Sequence, residues 1–293
     1  DSGWTNGGNG AGTVYELYAS TGVNTDYGIL YSGTGTGIIT HNGLSANTTY
    51  YYKVRAINAD SIASGYTSES STHTLAVAPA VSIVSVTVSS VRVTWSNTNP
   101  GSVYELSAST GSNGSYGVVF TGLYQANTDH NGLNSNTTYF YKLRVQNGEG
   151  IWSGYSGEIS THTFAAVPGA VTFGAVWQSS VTVNLPADTN SAGTRYSVEA
   201  KAEGGAYAEI YSGNYAASVP HSSLSANVTY YYRVSATNFD NVTTAYGTEN
   251  STHTLAAIPG AVTFGAINDN SVAVNWTDGT NAAGTRYELQ EAS

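Results

Sequence analysis

Thr229-Tyr-Tyr-Tyr-Arg-Val-Ser-Ala-Thr-Asn238 is the stretch whose reading decides the architecture. Tyr230, Tyr232, Val234 and Ala236 alternate with residues of more polar character, the period-two pattern of a strand with one buried face. Asn227 before it and Asn238 after it are turn formers. Outward from this strand lie further short segments rich in Val, Thr and Tyr, at 168–176, 180–185, 195–201, 208–213, 217–221 and 248–255. Pro, Gly, Asn and Ser separate them. No window carries a capped 3.6-residue apolar period. Seven half-buried strands need two sheets packed face to face. The expected fold is all-β, a seven-strand antiparallel sandwich.

The sandwich is repeated. Trp4-Thr-Asn and Val14-Tyr-Glu-Leu17 recur as Trp95-Ser-Asn and Val103-Tyr-Glu-Leu106, as Leu185-Pro-Ala and Arg195-Tyr-Ser-Val198, and as Trp276-Thr-Asp and Arg286-Tyr-Glu-Leu289. The first residues are spaced by 91, 90 and 91 positions, which is the mark of tandem small domains. The period predicts a partial repeat at 1–78 lacking its opening strands, full repeats at 79–167 and 168–258, and a partial repeat at 259–293 with only its opening strands. Residues 1–21 align with 273–293. Two completions of the partial units are expected: continuation in a longer array, which is favoured, or donation of strands between copies.

Composition narrows the function. Charged residues make up 10% of the chain, cysteine and methionine are absent, and the net charge is −10 with only 9 Lys and Arg. That excludes a disulfide framework, thiolate chemistry and the basic stripe of a nucleic-acid binder. No apolar run approaches a membrane span. A surface of hydroxyls and amides suits an extracellular or cell-surface location.

Leu44-Ser-Ala-Asn-Thr-Thr-Tyr50-Tyr-Tyr52-Lys-Val54-Arg-Ala56-Ile-Asn58 resembles the fibronectin type III signature, and 133–147 and 224–238 repeat it. The resemblance implies tandem fibronectin type III-like (immunoglobulin-like) sandwiches. It also implies a tyrosine corner at Tyr50, Tyr139 and Tyr230, whose hydroxyls bond back to the backbone near the preceding Leu. Trp4, Trp95 and Trp276 match the family's core tryptophan; the third unit departs with Leu185. A fold of this kind implies no activity by itself.

The histidines fall in two series, His41, His130, His221 and His73, His162, His253, with 32 residues between partners. A two-histidine set lacks further ligands, and Asp129 does not recur, so no metal site is expected. Glu16, Glu105 and Glu288 recur on a strand, but Ser197 stands there in the third unit. A lone carboxylate per unit does not serve glycoside hydrolysis. No nucleophile elbow, phosphate loop or zinc motif occurs. The expectation is no enzyme, no catalytic residue and no cofactor. Asn-x-Ser/Thr occurs at Asn47, Asn113, Asn136, Asn227, Asn241, Asn250 and Asn275, candidate acceptors for glycans. Exposed tyrosines invite a sugar-stacking reading, although cross-strand and junction packing is the commoner use.

The short linkers at 72–80, 161–169 and 252–260 contain proline and vary one theme, so they read as stiff connectors. Like junctions rotate each domain equally, which leads to a helical fibre. The expected function is a structural subunit or segment of an extracellular filament, bound head to tail to other copies or further repeats. The alternatives are an adhesin or carbohydrate-binding array, or a spacer of a larger secreted enzyme.

Overall fold

The computed structural model describes residues 2–186 and 189–292. Ala187 of the third copy's motif, and the end residues Asp1 and Ser293 of the two partial repeats, lie outside the described residues. All regular structure described is strand.

The third repeat shows the design most fully. It holds β14 (Thr172–Val176), β15 (Ser180–Asn184), β16 (Arg195–Ala202), β17 (Ala208–Asn214), β18 (Ser218–Ser222), β19 (Thr229–Thr237) and β20 (Asn250–His253). One sheet runs β14-β15-β18 and the other β17-β16-β19-β20. The sequence thus crosses between sheets as it advances, and the strand pairings β14–β15, β15–β18, β16–β17, β16–β19 and β19–β20 are antiparallel. This three-plus-four order is the fibronectin type III-like sandwich. Val181 and Val183 from one sheet and Val198, Tyr232 and Val234 from the other are buried in a single core. Leu185 is buried in the tryptophan position, so the smaller side chain still closes that end of the core.

The second repeat repeats the order with β7 (Val81–Val86), β8 (Ser90–Trp95), β9 (Val103–Ser109), β10 (Gly117–Leu123), β11 (Asn127–Asn131), β12 (Thr138–Val145) and β13 (Ile159–His162). Its sheets run β11-β8-β7 and β10-β9-β12-β13.

The segments on either side of these two repeats hold fewer strands. The first contains β1 (Ser2–Gly3), β2 (Val14–Ser20), β3 (Gly28–Gly33), β4 (Ile38–Ile39), β5 (Thr49–Ile57) and β6 (Ser70–His73). Its four-stranded sheet β3-β2-β5-β6 is whole, but the opposing sheet is only β1 paired with β4, two rungs long. The last contains β21 (Thr263–Asn268) paired with β22 (Ser271–Asn275). A third strand begun at Arg286 does not form; residues 286–290 carry no regular structure.

The chain divides into two compact units: Asp1–Ser85 with Arg92–His130 and Tyr139–Thr161, and Val86–Val91 with Asn131–Thr138 and His162–Ser293. Their border does not follow the repeat borders. Within the second unit, Ser135 and Asn136 of the second repeat are hydrogen-bonded to Thr189 and Thr194 of the third, which accounts for their grouping with it.

Candidate assembly interface

The loop before each long central strand ends on an asparagine in the left-handed region: Asn47 (φ 47°), Asn136 (φ 44°) and Asn227 (φ 55°). Asparagine tolerates that conformation better than most residues. There its amide faces the next repeat. The side-chain carbonyl of Asn47 accepts the Gly148 N–H at 3.1 Å, and Asn47 Nδ2 reaches Ser102 Oγ at 3.4 Å. Asn136 accepts the Phe239 N–H at 2.9 Å and donates to Thr194 Oγ1 at 2.7 Å. Asn227 donates to Thr285 Oγ1 at 2.5 Å. A second asparagine clasps the linker backbone from the other side. Asn99 donates to the Val77 carbonyl. Asn190 and Asn281 each accept the linker N–H, of Ala166 and Ala257, at 2.6 Å and donate back to the same residue's carbonyl. A third, in the loop after the central strand, reaches back to the preceding repeat: Asn147 to the carbonyls of His73 and Thr74, Asn238 to that of Thr163.

Three of the candidate glycan acceptors are therefore junction residues. Asn136 is corrected outright: its side chain is fully buried with both amide groups bonded, which leaves no space for a glycan in the folded protein. Asn47 and Asn227 are half-buried in the same role. Asn113, Asn241, Asn250 and Asn275 are exposed. The sequence offered one signal for the junction role, the fixed position of the first three before the tyrosine strand.

The tyrosine hydroxyls sit near the preceding loop. Tyr50 accepts the Ser45 N–H at 2.9 Å and Tyr230 accepts the Ser225 N–H at 3.0 Å. Tyr139 is buried with its ring 5.7 Å from that of His130. Trp95 is buried, its indole nitrogen unpartnered in the protein, whereas Trp276 is exposed. Trp4 is half-buried between Tyr15 and Tyr31.

The first histidine series pairs with tyrosine. Nδ1 of His41, His130 and His221 lies 3.1, 3.2 and 3.1 Å from the hydroxyls of Tyr52, Tyr141 and Tyr232. Burial holds His130 and His221 below the usual imidazole range and pushes Tyr141 and Tyr232 up. The second series lies at the junctions. His73 and His253 bridge Thr49 or Thr229 to Asn47 or Asn227, while His162 faces Asp240 at 2.9 Å. Among the described residues no three His, Asp or Glu side chains gather as metal ligands do.

The outer face of each four-stranded sheet carries a closed cluster. In the second repeat Arg144 pairs with Glu105 at 2.8 Å, and Lys142 lies 3.7 Å above the Tyr116 ring. Tyr116 donates to Glu158; burial first, and this bond second, push the phenol up to about 12. The first repeat repeats this with Arg55–Glu16, Lys53 over Tyr27, and Tyr27 on Glu69. A cation of the chain lies over each of these rings, which leaves that side closed to stacking. Glu16 and Glu105 are structural ion-pair members, and Glu288 is exposed and bonds to Gln290.

Two apolar faces stay open. In the last repeat Val262, Phe264, Ile267, Val272 and Trp276 are exposed, Phe264 at 67% and Ile267 at 74%. Their counterparts Val171, Val181 and Leu185 are buried. In the first repeat Tyr52, Val54 and Ala56 are half-buried, whereas Tyr232, Val234 and Ala236 at the same positions are fully buried.

No family model matches the chain, and no curated protein matches it. Among solved structures it is similar to the chicken CNTN1 FN1-FN3 domains, at 14% identity and TM-score 0.30 over 83% of this chain and 88% of that one. It is also similar to a two fibronectin type-III domain segment from chicken tenascin, at 14% identity and TM-score 0.43 over 60% and 97%. At such values the fold assignment rests on the strand order.

Proposed function

We propose that this chain is a structural subunit of an extracellular filament or cell-surface fibre, in which tandem sandwich domains are joined head to tail with other copies or further repeats. The observation that carries this reading is the asparagine clasp, which is built the same way at successive junctions: a left-handed asparagine from one repeat, a linker-binding asparagine from the next. A junction that holds backbone groups on both sides fixes one domain against its neighbour, which is what a load-bearing array needs and a flexible tether lacks. The cation–tyrosine clusters favour this reading over a carbohydrate-binding array, since a sugar stacking on the covered side would have to displace the cation. The histidine and glutamate positions serve hydrogen bonds and ion pairs within the fold, in keeping with a non-enzymatic role. Exposed sequons at Asn113, Asn241, Asn250 and Asn275 suit glycan decoration of such a surface.

The reading is tested by sedimentation and electron microscopy of the purified chain over a range of concentrations. The expected outcome is filaments with an axial repeat common to all domains. A monomer at every concentration, with no filament, would overturn it.

A further inference from the structure

The two open faces are the two halves of one interface that the second and third repeats already contain. Hairpin β21–β22 repeats β14–β15 in register: Thr263 faces Asn275 and Phe264 faces Val274, as Thr172 faces Asn184 and Phe173 faces Val183. In the third repeat that hairpin covers Val198, Tyr232 and Val234. The first repeat offers the counterparts Leu17, Tyr52 and Val54 on its complete sheet; Leu17 is buried, Tyr52 and Val54 are only half-buried, and just the two-rung β1–β4 pair lies opposite. Resting on the filament reading, we propose that the open face of the first repeat receives β21–β22 of a second copy, so that one copy's tail supplies the opening hairpin of the next copy's head.

The overlap between tail and head sets where the chains exchange. β1 and β22 would compete for the same edge of β4, since Ser2 pairs with Ile39 as Val183 pairs with Val219. The head's claim on that edge is weak. It consists of two ladder rungs, the Trp4 contacts, and the Tyr15 hydroxyl bond to the Asn6 carbonyl, while residues 5–12 are exposed. The tail's claim is longer, with the five residues of β22 and the apolar side chains of β21 behind them. Exchange falls at Thr13 and Thr285, which occupy equivalent positions. Beyond it the tail forms no strand, while the head's β2 is fully formed.

The unfinished junction agrees. Asn281 and Thr285 of the tail already clasp Ala257 and Asn227. The other half of a junction comes from the loop after the central strand, which the tail lacks. That loop of the head is Asn58-Ala59, equivalent to Asn147-Gly148 and Asn238-Phe239. Among the described residues Nδ2 of Asn58 has no acceptor, whereas Nδ2 of Asn147 and of Asn238 donates to the preceding repeat. In the assembled pair the Ala59 N–H meets Asn227 Oδ1 of the partner subunit, and Asn58 Nδ2 meets the carbonyl of Thr254 of the partner subunit.

The chain has no cysteine, so a cross-link reads the contact directly. Ala273→Cys with Thr40→Cys places one thiol on each side of the proposed β22–β4 pairing; Thr182→Cys with Pro220→Cys is the equivalent pair within the third repeat. Under mild oxidation the expected result is a ladder of disulfide-linked multimers from the first variant and only intrachain closure in the second. Val272→Asp should abolish the ladder without altering unfolding of the third repeat. Filaments that form without any cross-link overturn hairpin donation and leave the filament reading standing, the outcome expected if a preceding segment of the same polypeptide fills the face. A chain that stays monomeric overturns both.

Discussion

Glu199 lies directly across the ladder from Arg233, two rungs further along the sheet than the Glu105–Arg144 pair of the second repeat. The rung it leaves is filled by Ser197 opposite Ser235. Both partners have moved by two residues, which keeps them on the same outward face of the pleat. The pair is close, at 2.6 Å, and Tyr246 also donates to the Glu199 carboxylate at 2.7 Å. Burial pushes this carboxyl up, yet the bonds from Tyr246 and Arg233 hold it below its usual range.

Because the Glu199–Arg233 pair is partly solvated, its coupling should be modest. A double-mutant cycle with Glu199→Ala and Arg233→Ala is expected to give about 0.5–1 kcal/mol by chemical denaturation. Ser197→Glu with Ser235→Arg adds the rung of the other repeats and should not destabilise the fold. A loss above about 1 kcal/mol would show that the two rungs exclude each other.

Asn136→Ala removes both the acceptor for the Phe239 N–H and the donor to Thr194, and places a Cβ residue with no amide at positive φ. The expected loss is about 2–4 kcal/mol, from the stranded polar groups and the backbone conformation together. Asn136→Gly relieves the backbone part and should recover about 1 kcal/mol. Equal losses in the two variants, measured by urea unfolding, would mean that the conformation contributes nothing.

Tyr230→Phe leaves the Ser225 N–H without its acceptor and should cost about 1–3 kcal/mol. Tyr50→Phe should cost less, because the loop around Ser45 is more exposed than that around Ser225 and Ala226 and water can replace the hydroxyl. Calorimetry of each variant checks the order.

Stability should respond to pH in two stages. His130 and His221 are held below the ordinary value of about 6.5 by burial. The unfolded chain therefore binds protons first as pH falls. Their contribution is complete above about pH 6.5 and declines as pH falls towards the folded-state values. Hydrogen bonds from Tyr116 and Ser112 depress Glu158, and that from Arg92 depresses Asp129; these contributions are lost only below about pH 4.5. In His130→Gln with His221→Gln the upper stage should disappear from a Tm-against-pH profile and the lower one persist.

The strands and their pairing into sandwiches were legible in the sequence, because alternation and turn residues are local signals. Tyr232, Val234 and Ala236 are buried where their spacing put them. The junction was not legible. Asn136 reads locally as a sequon and a turn residue, and its partners Thr194 and Phe239 lie 58 and 103 residues away. The displaced Glu199–Arg233 rung was hidden for a similar reason: comparing single columns finds Ser197 where a glutamate was expected, and only the cross-strand register shows the pair moved together.

Asn47 and Asn136 take their incoming bonds from main-chain N–H groups, and the residues that supply them are as unlike as Gly148 and Phe239. The fit between neighbours therefore does not depend on which side chain stands at that position. A duplication or deletion of whole periods, wherever in the unit its endpoints fall, rejoins two compatible ends. An insertion that shifts the clasp residues would displace the main-chain N–H from its asparagine, whereas a change in the number of units leaves each clasp as it is.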